Sequence, residues 1–154
     1  MIHRFTPLRT ILTLVPDTPP QPSALRFLCV DDEEDIRVIL EMALTLDPGV
    51  QADVVADGET MLEKAAAGGY DMFVLDAMMP GIDGYEVCRR LKANAATRDV
   101  PTVFLTAKTQ RDEVERARSL GAIAVLKKPF DPMSLAGQLR DLLGDAGSSM
   151  TRSA

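Results

Sequence analysis

Histidine is almost missing from this chain: the only one is His3, and only two cysteines, Cys29 and Cys88, accompany it. Cys29 sits in an apolar run and Cys88 in a helical pattern, and neither has the spacing of a metal site. Zinc is therefore not argued for, and both thiols read as buried and inert in a reducing compartment. Long apolar runs are lacking too. Nothing approaches the ~20 residues of a membrane span. The segment Ile11–Val15, behind His3, Arg4 and Arg9, is shorter than a signal h-region and is broken by Pro16. Positive charge is also short: a net charge of −6 leaves no basic footprint for nucleic acid or an anionic membrane. No internal repeat and no pattern of a second domain is visible. The chain reads as a cytoplasmic protein.

What is there suffices for one domain, because 154 residues can bury a sizeable core. Residues 1–24 read as an N-terminal tail ending in a proline-rich spacer, Pro16–Pro22, which cannot form a helix. Residues 25–144 carry the domain, and 145–154 read as a flexible C-terminal tail. From Leu25, apolar runs alternate with helical stripes. Phe27–Val30 leads into a helix with Ile36, Ile39, Leu40, Ala43 and Leu44 on one stripe, ended by Pro48-Gly49. Val50–Ala56 is a weaker run with polar residues interleaved, suited to a sheet edge. Asp57 reads as the cap of a second helix bearing Leu62, Ala65 and Ala66. Met72–Leu75 is apolar without a gap, as in a strand buried on both faces. A third helix follows over Gly84–Ala93, then the run Thr102–Leu105. The fourth helix, from Thr109 with Asp112 as a near capping box, has a thin apolar stripe of Val114, Ala117 and Leu120. Ala122–Leu126 is the fifth run, and Asp131-Pro132 opens a last helix with Leu135, Leu139, Leu142 and Leu143. Five strands alternating with five helices imply an α/β domain with a parallel sheet.

Four of the runs end in polar residues on the same, carboxyl side of that sheet: Asp31-Asp32, Asp76, Thr106 and Lys128. Ligands bind at that side in open parallel sheets. Three crowded carboxylates raise one another's pKa, a conflict that a divalent cation resolves. Mg2+ takes hard oxygen ligands and keeps several waters, so a few carboxylates are enough; Mn2+ is the alternative ion. A carboxylate such as Asp76 can act as a nucleophile and form an aspartyl phosphate. Lys128 offers a point charge to a phosphoryl oxygen and Thr106 a hydroxyl. Asp57, Asp83 and Asp131 read as caps, the sulfurs of Met78 and Met79 as loop packing, and Tyr70 and Tyr85 as packing residues with wet hydroxyls. The charges of Arg111–Arg118 read as a solvated helix face.

The motifs V-D-D-E at Val30–Glu33, L-D-A-M-M-P-G-I-D-G at Leu75–Gly84, L-T-A-K at Leu105–Lys108 and K-P-F at Lys128–Phe130 complete the picture. Asp32, Asp76, Thr106 and Lys128 are separated by 44, 30 and 22 residues. In these motifs and spacings the chain resembles a receiver domain of the two-component response-regulator family, over about Leu25 to Gly144. The resemblance implies a flavodoxin-like, doubly wound five-stranded parallel sheet in the order 2-1-3-4-5, with five helices on both faces. It implies that Asp76 is the phosphoacceptor, and that Thr106 and Lys128 contact the phosphoryl group. Asp31, Asp32, Asp76 and the backbone carbonyl of Met78 are the implied Mg2+ ligands. It further implies a cis bond before Pro129, which selects Lys128 over Lys127. One departure stands out: receivers commonly carry Tyr or Phe three residues before the lysine, where this chain has Val125.

The function expected is that of a stand-alone phosphorylation-dependent protein switch rather than an enzyme in the usual sense, since it catalyses only its own phosphorylation and dephosphorylation. A histidine kinase or a histidine phosphotransfer protein is the expected donor. An unknown downstream protein is expected on the face of the fourth helix, fifth strand and fifth helix. A phosphorelay shuttle and the receiver fragment of a longer regulator are the alternatives within the family. Outside it, a small Mg2+-dependent phosphatase would want a second acid just after Asp76, which Ala77-Met78 does not offer.

Overall fold

The computed structural model describes residues 24–153. The tail and spacer read over residues 1–24 lie outside the described residues, apart from Ala24. Five strands, β1 (Leu25–Val30), β2 (Val50–Val55), β3 (Met72–Leu75), β4 (Thr102–Thr106) and β5 (Ala124–Lys127), pair in parallel in the order β2-β1-β3-β4-β5. Five helices alternate with them: α1 (Glu34–Thr45), α2 (Gly58–Ala66), α3 (Gly84–Ala93), α4 (Arg111–Ser119) and α5 (Leu135–Ser153). This is the doubly wound sheet that the alternation implies.

The sheet is buried on both faces because its inner strands carry unbroken apolar runs, Phe27–Val30, Met72–Leu75 and Val103–Leu105. Leu28, Val30, Phe73, Leu75 and Phe104 face one side, where Met61 of α2, Val87 and Leu91 of α3 and Ala117 of α4 cover them. The alternate residues Phe27, Cys29, Met72, Val74, Val103 and Leu105 face the other side, under Leu40, Ala43 and Leu44 of α1 and Leu135 and Leu139 of α5. Successive strand residues point to opposite faces, so one uninterrupted run feeds both cores. The two cysteines are free and buried, one in each core.

Several boundaries and faces differ from the sequence reading. Ile39 is 41% exposed, because Leu40, Ala43 and Leu44 already fill the contact between α1 and the sheet. The fourth helix starts at Arg111 behind Gln110, with no side-chain cap, so the near capping box at Thr109 does not form. At Asp131 a turn comes first. Its Oδ1 accepts the Met133 N–H at 3.0 Å, its carbonyl accepts the Leu135 N–H at 3.1 Å, and the helix begins only there. The helical backbone then passes Gly144, read as its end, and runs to Ser153. A glycine costs about 1 kcal/mol within a helix, and no proline follows to stop the chain. The caps at Asp57 and Asp83 form as read, accepting from Thr60 and Glu86 backbone N–H groups at 2.8 and 2.9 Å.

Candidate functional site

Parallel pairing brings the carboxyl ends of β1, β3, β4 and β5 to one edge. The backbone stitches them there: Asp31 N–H donates to Val55, Asp76 N–H to Val30, and Lys128 N–H to Thr106, at 3.1, 3.2 and 2.9 Å. Each polar residue that ends a run is thereby delivered to the same spot. Asp31, Asp76 and Thr106 are buried, whereas Asp32 is exposed. Oxygens of Asp31, Asp32 and Asp76 lie within 4.8 Å of one another. The Lys128 ammonium donates to Asp31 Oδ2 at 2.7 Å and stands 3.5 Å from Asp76 Oδ2. Lys127, by contrast, is exposed. The Lys128–Pro129 bond is cis, as the resemblance implies.

Electrostatics follow from this crowding. Burial pushes the Asp76 carboxyl up to about 6; Lys128 and the Met78 backbone N–H pull it down, while Asp31 and Asp32 raise it further. Burial alone would depress the Lys128 ammonium. Its hydrogen bond to Asp31 and the charges of Asp76 and Asp31 more than offset that, and it is held above the ordinary lysine range. One lysine facing three carboxylates leaves an excess of negative charge at a partly desolvated spot. A hard divalent cation fits this all-oxygen donor set, and no sulfur or imidazole competes for it among the described residues.

Thr106 lies beside this group with its Oγ1 accepting the Lys108 N–H at 3.1 Å. The Met78 backbone touches Asp76 through its N–H, and the Met78 side chain is largely exposed. Three supporting contacts have no signature in a linear motif. The Glu33 N–H donates to Asp31 Oδ1 at 2.9 Å, and Arg37 Nη1 donates to the Asp31 carbonyl at 3.0 Å, so α1 braces the first carboxylate. Gly84, read as the first residue of the third helix, is a point of close approach: a Cβ there would stand 2.0 Å from the Asp76 carbonyl oxygen.

Away from the acids, α3 and α4 meet through Tyr85. Its ring is buried, lies 5.3 Å from Phe104, carries the Arg116 guanidinium 4.0 Å above it, and its hydroxyl donates to Glu113. Part of the charged face of α4 is therefore turned toward a partner, not to solvent alone. Phe104 is paired in register with Val125. The ring packed against this part of the core thus comes from α3, while β5 supplies the smaller Val125.

Comparison with known proteins agrees with this geometry. The family model described as "Response regulator receiver domain" matches residues 27–140. The response regulator PleD of Caulobacter vibrioides is 39% identical over 117 residues, which are 76% of this chain and 26% of PleD. The chemotaxis protein CheY4 of Vibrio cholerae superposes with a TM-score of 0.73 at 28% identity, over 78% of this chain and 99% of that one. The receiver domain of the sensor histidine kinase PA1611 of Pseudomonas aeruginosa, solved with a magnesium ion coordinated in its active-site cleft, gives a TM-score of 0.71 at 29% identity. That match covers 79% of this chain and 99% of that one. The chain spans about a quarter of PleD and about half of the other curated relatives it matches. With its sheet order and most of its length matched, the chain belongs to the response regulator receiver domains, the signalling switches of two-component systems.

Proposed function

We infer that Asp76 is the phosphoacceptor of this receiver and that its phosphorylated form is recognised by a downstream protein. The observation that carries the reading is a buried carboxylate, Asp76, set 3.5 Å from the Lys128 ammonium and clustered with Asp31 and Asp32. An oxygen of Asp76 attacks the phosphorus of a phosphohistidine on a histidine kinase or phosphotransfer protein. The new P–O bond forms as the P–N bond breaks, and the departing imidazole takes up a proton. Asp31, Asp32, Asp76 and the Met78 carbonyl would hold Mg2+ or Mn2+, and the ion would neutralise charge on the transferring phosphoryl oxygens. Lys128 exchanges its contact with Asp76 for one with a phosphoryl oxygen, and the Thr106 hydroxyl donates to another. Hydrolysis by water returns the carboxylate, so the chain acts on itself and turns over no separate substrate. The face built by α4, β5 and α5 is the proposed partner surface, and the cytoplasm the proposed compartment.

Intact mass after incubation with Mg2+ and a small-molecule phosphodonor tests this. One metal-dependent phosphoryl adduct is expected, absent from Asp76→Asn. A folded, Mg2+-saturated protein that gains no adduct, from the small donor or from a purified kinase, overturns the reading.

A further inference from the structure

Arg37 is a cation with acids on every side that pairs with none of them. Glu33, Glu34 and Glu41, all exposed, stand three or four places from it, the spacing at which opposite charges on a helix meet. Among the described residues Arg37 nevertheless makes no ion pair. Its half-buried side chain turns back to the end of β1 instead, where Nη1 donates to the Asp31 backbone carbonyl at 3.0 Å. Exposed helix pairs contribute little, whereas a charged donor makes one of the stronger hydrogen bonds.

The carbonyl it holds belongs to the peptide that joins two of the three clustered acids. Asp31 is fixed at its other polar atoms as well. Its N–H donates to Val55 at 3.1 Å, its Oδ1 accepts from the Glu33 N–H at 2.9 Å, and its Oδ2 accepts from Lys128 at 2.7 Å. Asp32 has no such support: it is exposed, and its carboxylate makes no hydrogen bond or ion pair among the described residues. That its oxygen lies within 4.8 Å of those of Asp31 and Asp76 depends on the backbone from which it hangs. A peptide is planar, so holding the Asp31 carbonyl also fixes the N–H and Cα of Asp32. We propose that Arg37 is a positioning residue for the divalent cation. Through the Asp31 carbonyl it keeps Asp32 in reach of the ion, and so raises Mg2+ affinity although it adds a positive charge beside the acids. The inference rests on these acids binding Mg2+; it does not rest on phosphoryl transfer.

That charge gives the test its sign. If charge were all that Arg37 contributed, removing it would strengthen the binding of a divalent cation nearby. Removing a group that orients a metal ligand from behind weakens binding instead, typically by about 10–100-fold. Backbone amide NMR of the full chain titrated with MgCl2, without any phosphodonor, measures the dissociation constant and reports on the fold at once. Arg37→Met keeps an apolar stem and loses both the donor and the charge. In it the Mg2+ dissociation constant rises about tenfold, while the metal-free amide shifts of β3 and β4 stay in place. Arg37→Lys, which restores a donor and the charge, recovers most of the loss. Arg37→Gln, with a stem too short to reach the carbonyl, shows the same rise and stands in should Arg37→Met fail to fold. An unchanged or lower dissociation constant in the neutral variant overturns the proposal, and so does a rise that Arg37→Lys does not reverse. Absence of any Mg2+ response in the unaltered protein overturns it together with the metal reading beneath it, which a failure confined to the Arg37 variants leaves standing.

Discussion

At the scale of single residues, one side chain and one missing side chain shape the surroundings of Asp76. A Cβ at position 84 would stand 2.0 Å from the Asp76 carbonyl oxygen and 2.8 Å from its carbon. Backbone cannot rotate away as a flexible side chain can, so Gly84→Ala pushes the acceptor strand end and the start of α3 apart. Overpacking of this kind costs about 1–3 kcal/mol. Urea unfolding should show the lower midpoint with an unchanged slope, and the rate of adduct formation should fall with it. Lys128 is the principal charge holding the Asp76 value down against burial. Lys128→Ala therefore raises the Asp76 value above about 6, whereas Lys127→Ala, on an exposed side chain, leaves it in place. Carboxyl carbon chemical shifts followed against pH distinguish the two variants. An Asp76 value unmoved by loss of Lys128 would show that the lysine pairs with Asp31 alone.

At the scale of elements, α4 is held by few contacts. It has no side-chain cap and buries only Ala117, so the hydrogen bond from Tyr85 to Glu113 and the Arg116 guanidinium over the ring do much of the anchoring. Tyr85→Phe removes the hydroxyl and keeps the ring. A hydrogen bond to a charged group contributes about 1.5–3 kcal/mol. Amide exchange over Arg111–Ser119 should accelerate in that variant, and exchange over α3 should not. This helix also shows where linear reading stops. The strand and helix order was legible, because apolar runs and 3.6-residue stripes are local signals. So were Asp31, Asp32, Asp76, Thr106 and Lys128, because each ends a run. The partners of α4 were not legible, since Glu113 and Arg116 are ordinary helix-surface residues until Tyr85, 28 positions before Glu113, arrives beneath them. Nor was the outward face of Ile39, because a stripe marks apolar residues without saying how many the core can take. Gly84 looked like an ordinary helix start for the same reason: its constraint comes from the strand end it packs against.

At the scale of the whole molecule, the acidic site sets how stability depends on pH and metal. The Asp76 carboxyl moves from an ordinary 3.8 to about 6 on folding. Between those values the folded state binds more protons than the unfolded one, so the free energy of unfolding falls as pH rises through that window and stays lower above it. The carboxylate is thus a charge that the metal-free fold tolerates for use, not for stability. Asp76→Asn keeps the shape without the charge. Without metal, it should raise Tm by about 2–4 °C at pH 7.5, the shift that about 1 kcal/mol produces in a chain of this size. The difference should shrink toward zero by about pH 4, where the wild-type carboxyl is protonated in the folded state. Mg2+ reverses the order. A cation bound by the folded state alone stabilises it in proportion to RT ln(1 + [L]/Kd), and the neutral amide that Asp76→Asn introduces would be a weaker ligand than the carboxylate. Millimolar Mg2+ should therefore raise Tm of the wild type more than that of Asp76→Asn at pH 7.5, and lose this advantage as the pH falls below about 6. Calorimetric scans of both proteins across pH 4–8, with and without Mg2+, give all four comparisons. Equal Tm values for the two metal-free proteins at pH 7.5 would mean that Lys128 already neutralises Asp76 in full.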